Sequence, residues 1–203
     1  MTVERRIRPI INTEARAKSP SECPMTTDPS NLPEIEVVAE TRFLRLVKRG
    51  NWSFAQRPSA VRVVAVVAVT DEEEVILVQQ HRPPVGGDVI ELPAGLAGDI
   101  AGEENESLET AARRELIEET GYTAKTWKEL ATVTSSAGMT DERVTIFLAR
   151  GLVKESAGGG VDSENIVVHK IALDQLEPWL ADAAQQGLDI DSRVYSALYW
   201  AKT

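Results

Sequence analysis

The segment from Glu106 to Thr120 constrains this chain more than any other. It has the pattern of a helix and stops at Gly121, a residue suited to a left-handed cap. At about 100° per residue, with Leu108 at 0°, Ala112 falls near 40°, Leu116 near 80° and Ala111 near 300°. These residues define an apolar face. Glu119 falls near 20° and Glu115 near 340°, inside the stripe, and Glu118 sits beside it near 280°. Glu106, Glu109 and Arg113 fall between about 100° and 160°, where solvent is expected. Runs of glutamate usually form a solvated face, and that is the plain alternative. The geometry argues against it. Glu115 and Glu119 are one turn apart, with Cβ atoms roughly 5–6 Å from each other. At an effective dielectric of 20 such a pair repels by about 3 kcal/mol. Burial beside the stripe adds desolvation. The pair is tolerable if one carboxylate is protonated or if a cation sits between them. Oxygen ligands with water suit Mg²⁺ or Mn²⁺. Magnesium in turn suits phosphate chemistry.

The remainder reads mostly as strands. Val61 to Val69 is rich in β-branched residues, as expected of a central strand buried on both faces. Ile35 to Lys48 and Asn51 to Gln56 read as strands joined by a turn at Gly50. Further strands are expected at Glu74 to Gln80, Ala131 to Ser135, Val144 to Ala149 and Ile166 to Leu173. A second helix starts near Asp174 and carries Leu176, Trp179, Leu180 and Ala183 at helical spacing. A third starts near Asp191 or Ser192 and holds Val194. Strands mixed with a few helices predict one α+β domain over about 34–203, in which 34–57 is an N-terminal strand pair. Residues 1–33 hold half of the ten prolines and read as a tail or arm.

Composition limits the function classes. A chain of 203 residues can bury a sizeable core without disulfides, and the single Cys23, read as an inert thiol, excludes an intrachain disulfide or a Cys-based zinc site. The net charge is −10, which argues against nucleic acid or an anionic membrane as partner through a broad basic surface. A small nucleotide, screened by a metal ion, is compatible. The longest apolar run, Val63 to Val69, is far short of the roughly 20 residues a bilayer needs. Arg5, Arg6 and Arg8 precede no apolar stretch, so a secretory signal is not expected, and the chain is read as cytoplasmic.

The stretch Arg114-Glu115-Leu116-Ile117-Glu118-Glu119-Thr120-Gly121-Tyr122, with Glu106 eight positions before Arg114, resembles the second half of the Nudix box. That resemblance implies an α/β/α sandwich with a mixed central β-sheet and a loop–helix–loop that holds divalent metal against a pyrophosphate. Glu115 and Glu119 would be principal ligands, with Glu118 assisting and Arg114 bracing the glutamates by charge-assisted hydrogen bonds. Gln80 to Gly87, Ile90 to Gly95 and Asp191 to Ser196 resemble the ADP-ribose pyrophosphatase branch, and the likeness covers most of 50–203. It implies that the Ala94 carbonyl joins the metal shell. It also implies that Arg82 meets substrate phosphate or ribose, that Glu91 hydrogen-bonds substrate, and that Trp52 and Arg57 touch the nucleotide. His81 is read as structural. Glu164, on the loop after Gly158-Gly159-Gly160, would be the general base, with Glu142 the competitor and Asp162 a helper.

Two departures bear on specificity. Ten residues, 96–105, separate Gly95 from Glu106 where the box usually has five, so a lengthened loop is expected. Ser136-Ala137-Gly138 keeps the glycine of a turn that usually carries proline, so Gly138 remains a substrate-site candidate while Ala137 keeps other sugars open. The implied reaction is Mg²⁺-dependent cleavage of a nucleoside diphosphate sugar, ADP-ribose to AMP and ribose 5-phosphate. The alternatives are a GDP- or UDP-sugar hydrolase and a non-catalytic nucleotide-sensing domain. The strand pair at 34–57, with Phe43, Leu44 and Trp52, predicts a homodimer in which Trp52 reaches an adenine held mainly by the other subunit.

Overall fold

The computed structural model describes residues 32–58, 61–160 and 165–201. Cys23, Asp162 and Glu164 lie outside the described residues. The central strand is the apolar run anticipated above. β4 (Arg62–Val69) alternates its side chains between two cores: Val63, Ala65, Val67 and Val69 enter one, and Val64, Val66 and Ala68 the other. Burial on both faces explains why it lacks the polar alternation of a half-exposed strand.

Around β4 the chain adds β5 (Glu74–Arg82), β6 (Gly87–Glu91), β7 (Ala94–Ala97), β8 (Tyr122–Thr134), β9 (Arg143–Lys154), β10 (Val167–Ala172) and β11 (Asp189–Ile190). The sheet runs β11-β6-β5-β4-β9-β8, with β10 on β5 and β7 on β4. It is mixed: β4 pairs β9 in parallel but β5 and β7 antiparallel. The start of β4 carries β7 and only its last two residues meet β5, so β4 and β5 diverge and leave an opening beside β7.

α1 (Leu108–Thr120) covers one face, where Ala111, Ala112 and Leu116 meet Val64, Val66 and Phe147. α2 (Leu176–Gln185) and α3 (Ser192–Ala201) cover the other, with Leu176, Leu180 and Val194 on Ala65 and Leu77. The result is the expected three-layer α+β arrangement.

Three boundaries differ from the sequence reading. Ile35 to Lys48 is two strands, β1 (Ile35–Glu40) and β2 (Arg45–Arg49), which with β3 (Trp52–Gln56) form a separate antiparallel sheet of three. Thr41 makes the break: its hydroxyl donates to the Leu44 carbonyl (2.7 Å) and accepts from the Leu44 N–H (3.1 Å). The turn at Gly50 is present, with φ of 59°. α1 begins at Leu108, not Glu106, because Ser107 caps it by accepting from the Thr110 N–H at 3.1 Å. Glu106 therefore leaves the helical wheel and is buried, not solvated as expected. Finally, β6, β7 and the first half of β8 were not anticipated. β6 and β7 are short and interrupted by Pro93, while β8 is polar and only partly buried over that half. Among the described residues no helix is long and apolar enough to cross a membrane.

Candidate active site

The opening beside β7 is a cavity of about 470 Å³, and the acids of α1 form part of its wall. β7 brings the Pro93-Ala94-Gly95 turn against α1. The Ala94 N–H donates to Glu119 Oε2 (3.0 Å) and the Leu96 N–H to Glu115 Oε1 (3.2 Å). Both glutamates are thus fixed by backbone of one turn. Gly95 is required by space: a Cβ there would stand 1.9 Å from Glu115 Cδ. Glu119 is 4% exposed, as the wheel anticipated.

Arg114 joins the acids. Its guanidinium donates to Glu115 Oε1 (2.9 Å), Glu118 Oε2 (3.2 Å), both oxygens of Glu106 (3.3 Å) and the Leu96 carbonyl (2.8 Å). Burial opposes its charge, but the carboxylates of Glu106 and Glu115 outweigh burial and raise its pKa. Burial also pushes the Glu115 carboxyl up to about 7, with help from the Glu118 charge and against the pull of Arg114. Asp99, in the lengthened loop, comes within 3.6 Å of Arg114 and lines the cavity. The same loop holds Gly98 and Gly102 at positive φ.

Three arginines, Arg57, Arg82 and Arg193, also line the cavity, and each has its own carboxylate. Arg82 Nε donates to both oxygens of Glu91 (3.0 and 3.2 Å), and Gln80 adds a bond to Glu91 (3.3 Å). Arg57 binds Glu142 through Nε (2.9 Å) and Nη2 (2.8 Å). Arg193, at the start of α3, binds both oxygens of Asp191 (2.8 and 2.7 Å). That bond chiefly raises the Arg193 pKa. Asp191 is lowered in turn, because Arg193 overcomes the effect of burial.

The structure therefore gathers Arg57, Arg82, Glu91, Ala94, Glu115, Glu119 and Glu142 on one cavity. Arg114 and Glu118 are not among its lining residues; Arg114 braces Glu115 behind it, and Glu118 accepts from Arg114 and lines the flank of α1 beside Gly158 and Gly160. That glycine segment is tied to the helix end, with Gly159 N–H on the Glu119 carbonyl (2.8 Å) and Gly160 N–H on that of Glu118 (3.1 Å). Trp52 and Gly138 do not line the cavity. The Trp52 indole N–H donates to the Gly138 carbonyl (3.2 Å), and Trp52 lies in a neighbouring hollow with Phe54. Sequence reasoning gave Arg193 and Asp99 no role. The Asp191-Ser192-Arg193 signature was visible, but nothing in it said that the arginine points into the cavity.

The groups that could hold a metal, the carboxylates of Glu115, Glu118 and Glu119 and the Ala94 carbonyl, offer oxygen only, which would suit a hard divalent cation. Among the described residues no three acids converge into a tight cage. The oxygens are held instead by N–H groups and Arg114. Burial raises the Glu115 carboxyl beside the nearly buried Glu119, and a divalent cation would offset the cost of holding both ionised.

A family model described as the NUDIX domain matches residues 60–189. The chain belongs to the Nudix family. The methanol dehydrogenase activator of Bacillus methanolicus is 36% identical over 104 residues, 51% of this chain and 54% of that protein. The ADP-ribose pyrophosphatase of Bacillus subtilis is 46% identical over 118 residues, 58% of this chain and 60% of that one. The Nudix chain thus spans little more than half the length of these curated relatives. A solved structure titled as an ADP compounds hydrolase superposes with a TM-score of 0.65 over 84% of this chain and 91% of its own, at 22% identity, a likeness of fold.

Proposed function

We propose that this Nudix chain is a pyrophosphohydrolase that splits ADP-ribose into AMP and ribose 5-phosphate with Mg²⁺, Mn²⁺ being the alternative ion. One observation carries the reading: Glu115 and Glu119 are pinned to the Pro-Ala-Gly turn on a cavity that three arginines also line. Glu115, Glu118, Glu119 and the Ala94 carbonyl would hold the metal. Bound there, it supplies Lewis-acid polarisation of the pyrophosphate and neutralises developing charge.

The chain's own residues do the rest. Arg114 keeps the acids in register. Arg82 and Arg57 exchange part of their carboxylate contacts for substrate oxygens, which leaves Glu91 able to accept a substrate hydroxyl. Glu164 takes the proton as water attacks phosphorus, the bridging P–O bond breaks, and the phosphate leaving group departs. Glu142, which is ion-paired with Arg57, is the competing base. Trp52, beside the Gly138 turn, stacks on an adenine held mainly by the other subunit of the dimer. The protein acts as a soluble cytoplasmic homodimer in this reading, and residues 1–33 lie outside its catalytic domain.

Ala137, where the branch usually has proline, favours a second reading as a hydrolase of another nucleotide sugar. A panel of ADP-ribose, other ADP-sugars, GDP-sugars and UDP-sugars, assayed with Mg²⁺ for phosphomonoester release, separates the two. ADP-ribose should give the highest kcat/KM. No turnover of any member would end the enzyme reading and leave a sensing domain.

A further inference from the structure

The last turn of α1 carries Glu118 and Glu119 and holds no basic residue. A helix C-terminus is already the negative end of the backbone dipole, so two acidic residues there are unfavourable and the turn tends to fray. Groups outside the helix offset this. A helix leaves its last four carbonyls without intrahelical partners, and here all four are filled. The Ile117 carbonyl accepts from the Gly121 N–H (2.8 Å), that of Glu118 from the Gly160 N–H (3.1 Å) and that of Glu119 from the Gly159 N–H (2.8 Å). The fourth, on Thr120, accepts from Lys154 Nζ (2.6 Å). This last bond brings the positive charge that the helix end lacks.

Lys154 is the last residue of β9, and its ammonium reaches two pieces of chain. It donates also to the Ala157 carbonyl (3.2 Å), and it stands 4.5 Å from the centre of the Tyr122 ring. One cation thus joins the end of α1 to the segment 155–160. Backbone bonds run beside it: the Gly121 carbonyl accepts from the N–H groups of Glu155 (2.8 Å) and Ser156 (3.2 Å). The crossing leaves no room for side chains, since a Cβ on Gly121 would run into the Ser156 carbonyl and one on Gly158 into the backbone of Thr120. Lys154 does not line the cavity of the acids, so it reaches the chemistry only through α1. We propose that Lys154 is a positioning residue for the metal-binding acids: its ammonium fastens the last turn of α1 to the segment 155–160 and so holds Glu118 and Glu119 where they bind a divalent cation. The use made of those acids rests on the pyrophosphatase reading.

Lys154→Met keeps a stem of similar length against the Tyr122 ring and removes the charge. Amide hydrogen exchange, followed by NMR on the full chain in chelator, should quicken about fivefold at Gly159 and Gly160, the scale of one charge at a helix end, and stay unchanged in β4. Mn²⁺ titrated without substrate and followed by electron paramagnetic resonance should bind about fivefold more weakly, the same scale carried to the acids. In turnover of ADP-ribose the Mg²⁺ concentration for half-maximal rate should rise by a similar factor, while KM for the nucleotide stays within about twofold. Lys154→Arg should restore both the exchange and the metal affinity. Unchanged Mn²⁺ affinity in Lys154→Met overturns the positioning role, whatever the exchange does. Exchange that quickens equally in β4 overturns it too, because Lys154 then adds only to global stability. Weakened Mn²⁺ binding and local opening in a chain that hydrolyses no nucleoside diphosphate support the positioning role and remove the pyrophosphatase reading.

Discussion

Glu119 carries two duties that substitution can separate. It is nearly fully buried, and its Oε2 accepts from the Ala94 N–H. Glu119→Gln keeps an oxygen for that bond and removes one charge from the site. Activity should fall by roughly two orders of magnitude or more, the scale seen when transition-state charge stabilisation is lost. The melting temperature in chelator should not fall, because one like-charge repulsion is gone. Near-normal rates in both Glu119→Gln and Glu115→Gln would make the acids mere surface. Gly95→Ala makes a complementary test. The atoms nearest the added methyl are those of the Glu115 carboxylate, the far end of a side chain and not backbone, so the fold should survive while the carboxylate is driven off the Leu96 N–H. The expected result is a large loss of kcat with an almost unchanged denaturation midpoint. This part of the site was legible because a helix converts spacing into direction: two glutamates at i and i+4 point the same way whatever surrounds them. Arg193 was not legible, because its place on the cavity depends on where α3 meets β6, a tertiary fact without local spacing.

Among the elements, β4 and α1 were readable because burial marks each sequence: β4 is an unbroken β-branched run buried on both faces, and α1 buries an apolar stripe of period 3.6. β8 lacked so strong a pattern: in its first half Tyr122, Ala124 and Trp127 are only partly buried against the core under α1, while Lys125, Thr126 and Lys128 are exposed. The junction of α1 with the glycine segment was also hidden. A Cβ at Gly158 would meet backbone of Thr120 at 2.4 Å, a contact invisible in a run that reads as a flexible loop. The junction of β10 with α2 gives a pH test. His169 on β10 stacks against Trp179 of α2 (5.1 Å between rings), and its Nε2 lies 3.0 Å from Gln79 Oε1. Burial holds its pKa below the ordinary imidazole value, so the fold prefers the neutral ring. The unfolded chain binds the proton at about pH 6.5, and the folded chain binds it only lower. The stability His169 contributes is therefore present above that pH and is lost as pH falls through the folded value. Denaturant midpoints at pH 7.5 and 5.5 should drop in the native chain and drop less in His169→Gln. Parallel drops in both would mean that other groups govern the acid limb.

At the scale of the whole molecule, the N-terminal sheet needs a cover. All six residues of β1 are exposed, and among the described residues they form the unpaired edge of a three-stranded sheet. Val37, Val38, Leu44, Leu46 and Phe43 are between 44% and 68% exposed, more apolar surface than an isolated soluble chain usually presents in one place. The same sheet carries Glu36 and Glu40 on β1 against Lys48 and Arg49 on β2, so a two-fold contact with a second copy can bury the apolar residues and pair unlike charges. The opposite edge, β3, is already tied to the core: the Ala55 N–H donates to the Met139 carbonyl (2.8 Å), and Trp52 and Gln56 bond to the same loop. A dimer formed through β1 would therefore stiffen, through β3, the loop that holds Gly138 and Glu142. Sedimentation equilibrium at micromolar concentration should give twice the chain mass, and Val37→Lys should shift it toward monomer and lower activity. Trp52→Ala should raise KM for ADP-ribose about tenfold or more, since stacking on a base is worth ~1–3 kcal/mol. Stability should change little, because Trp52 is 62% exposed and gives up one surface hydrogen bond. A native monomer would remove the dimer, and an unchanged KM would reduce Trp52 to packing on the Gly138 turn.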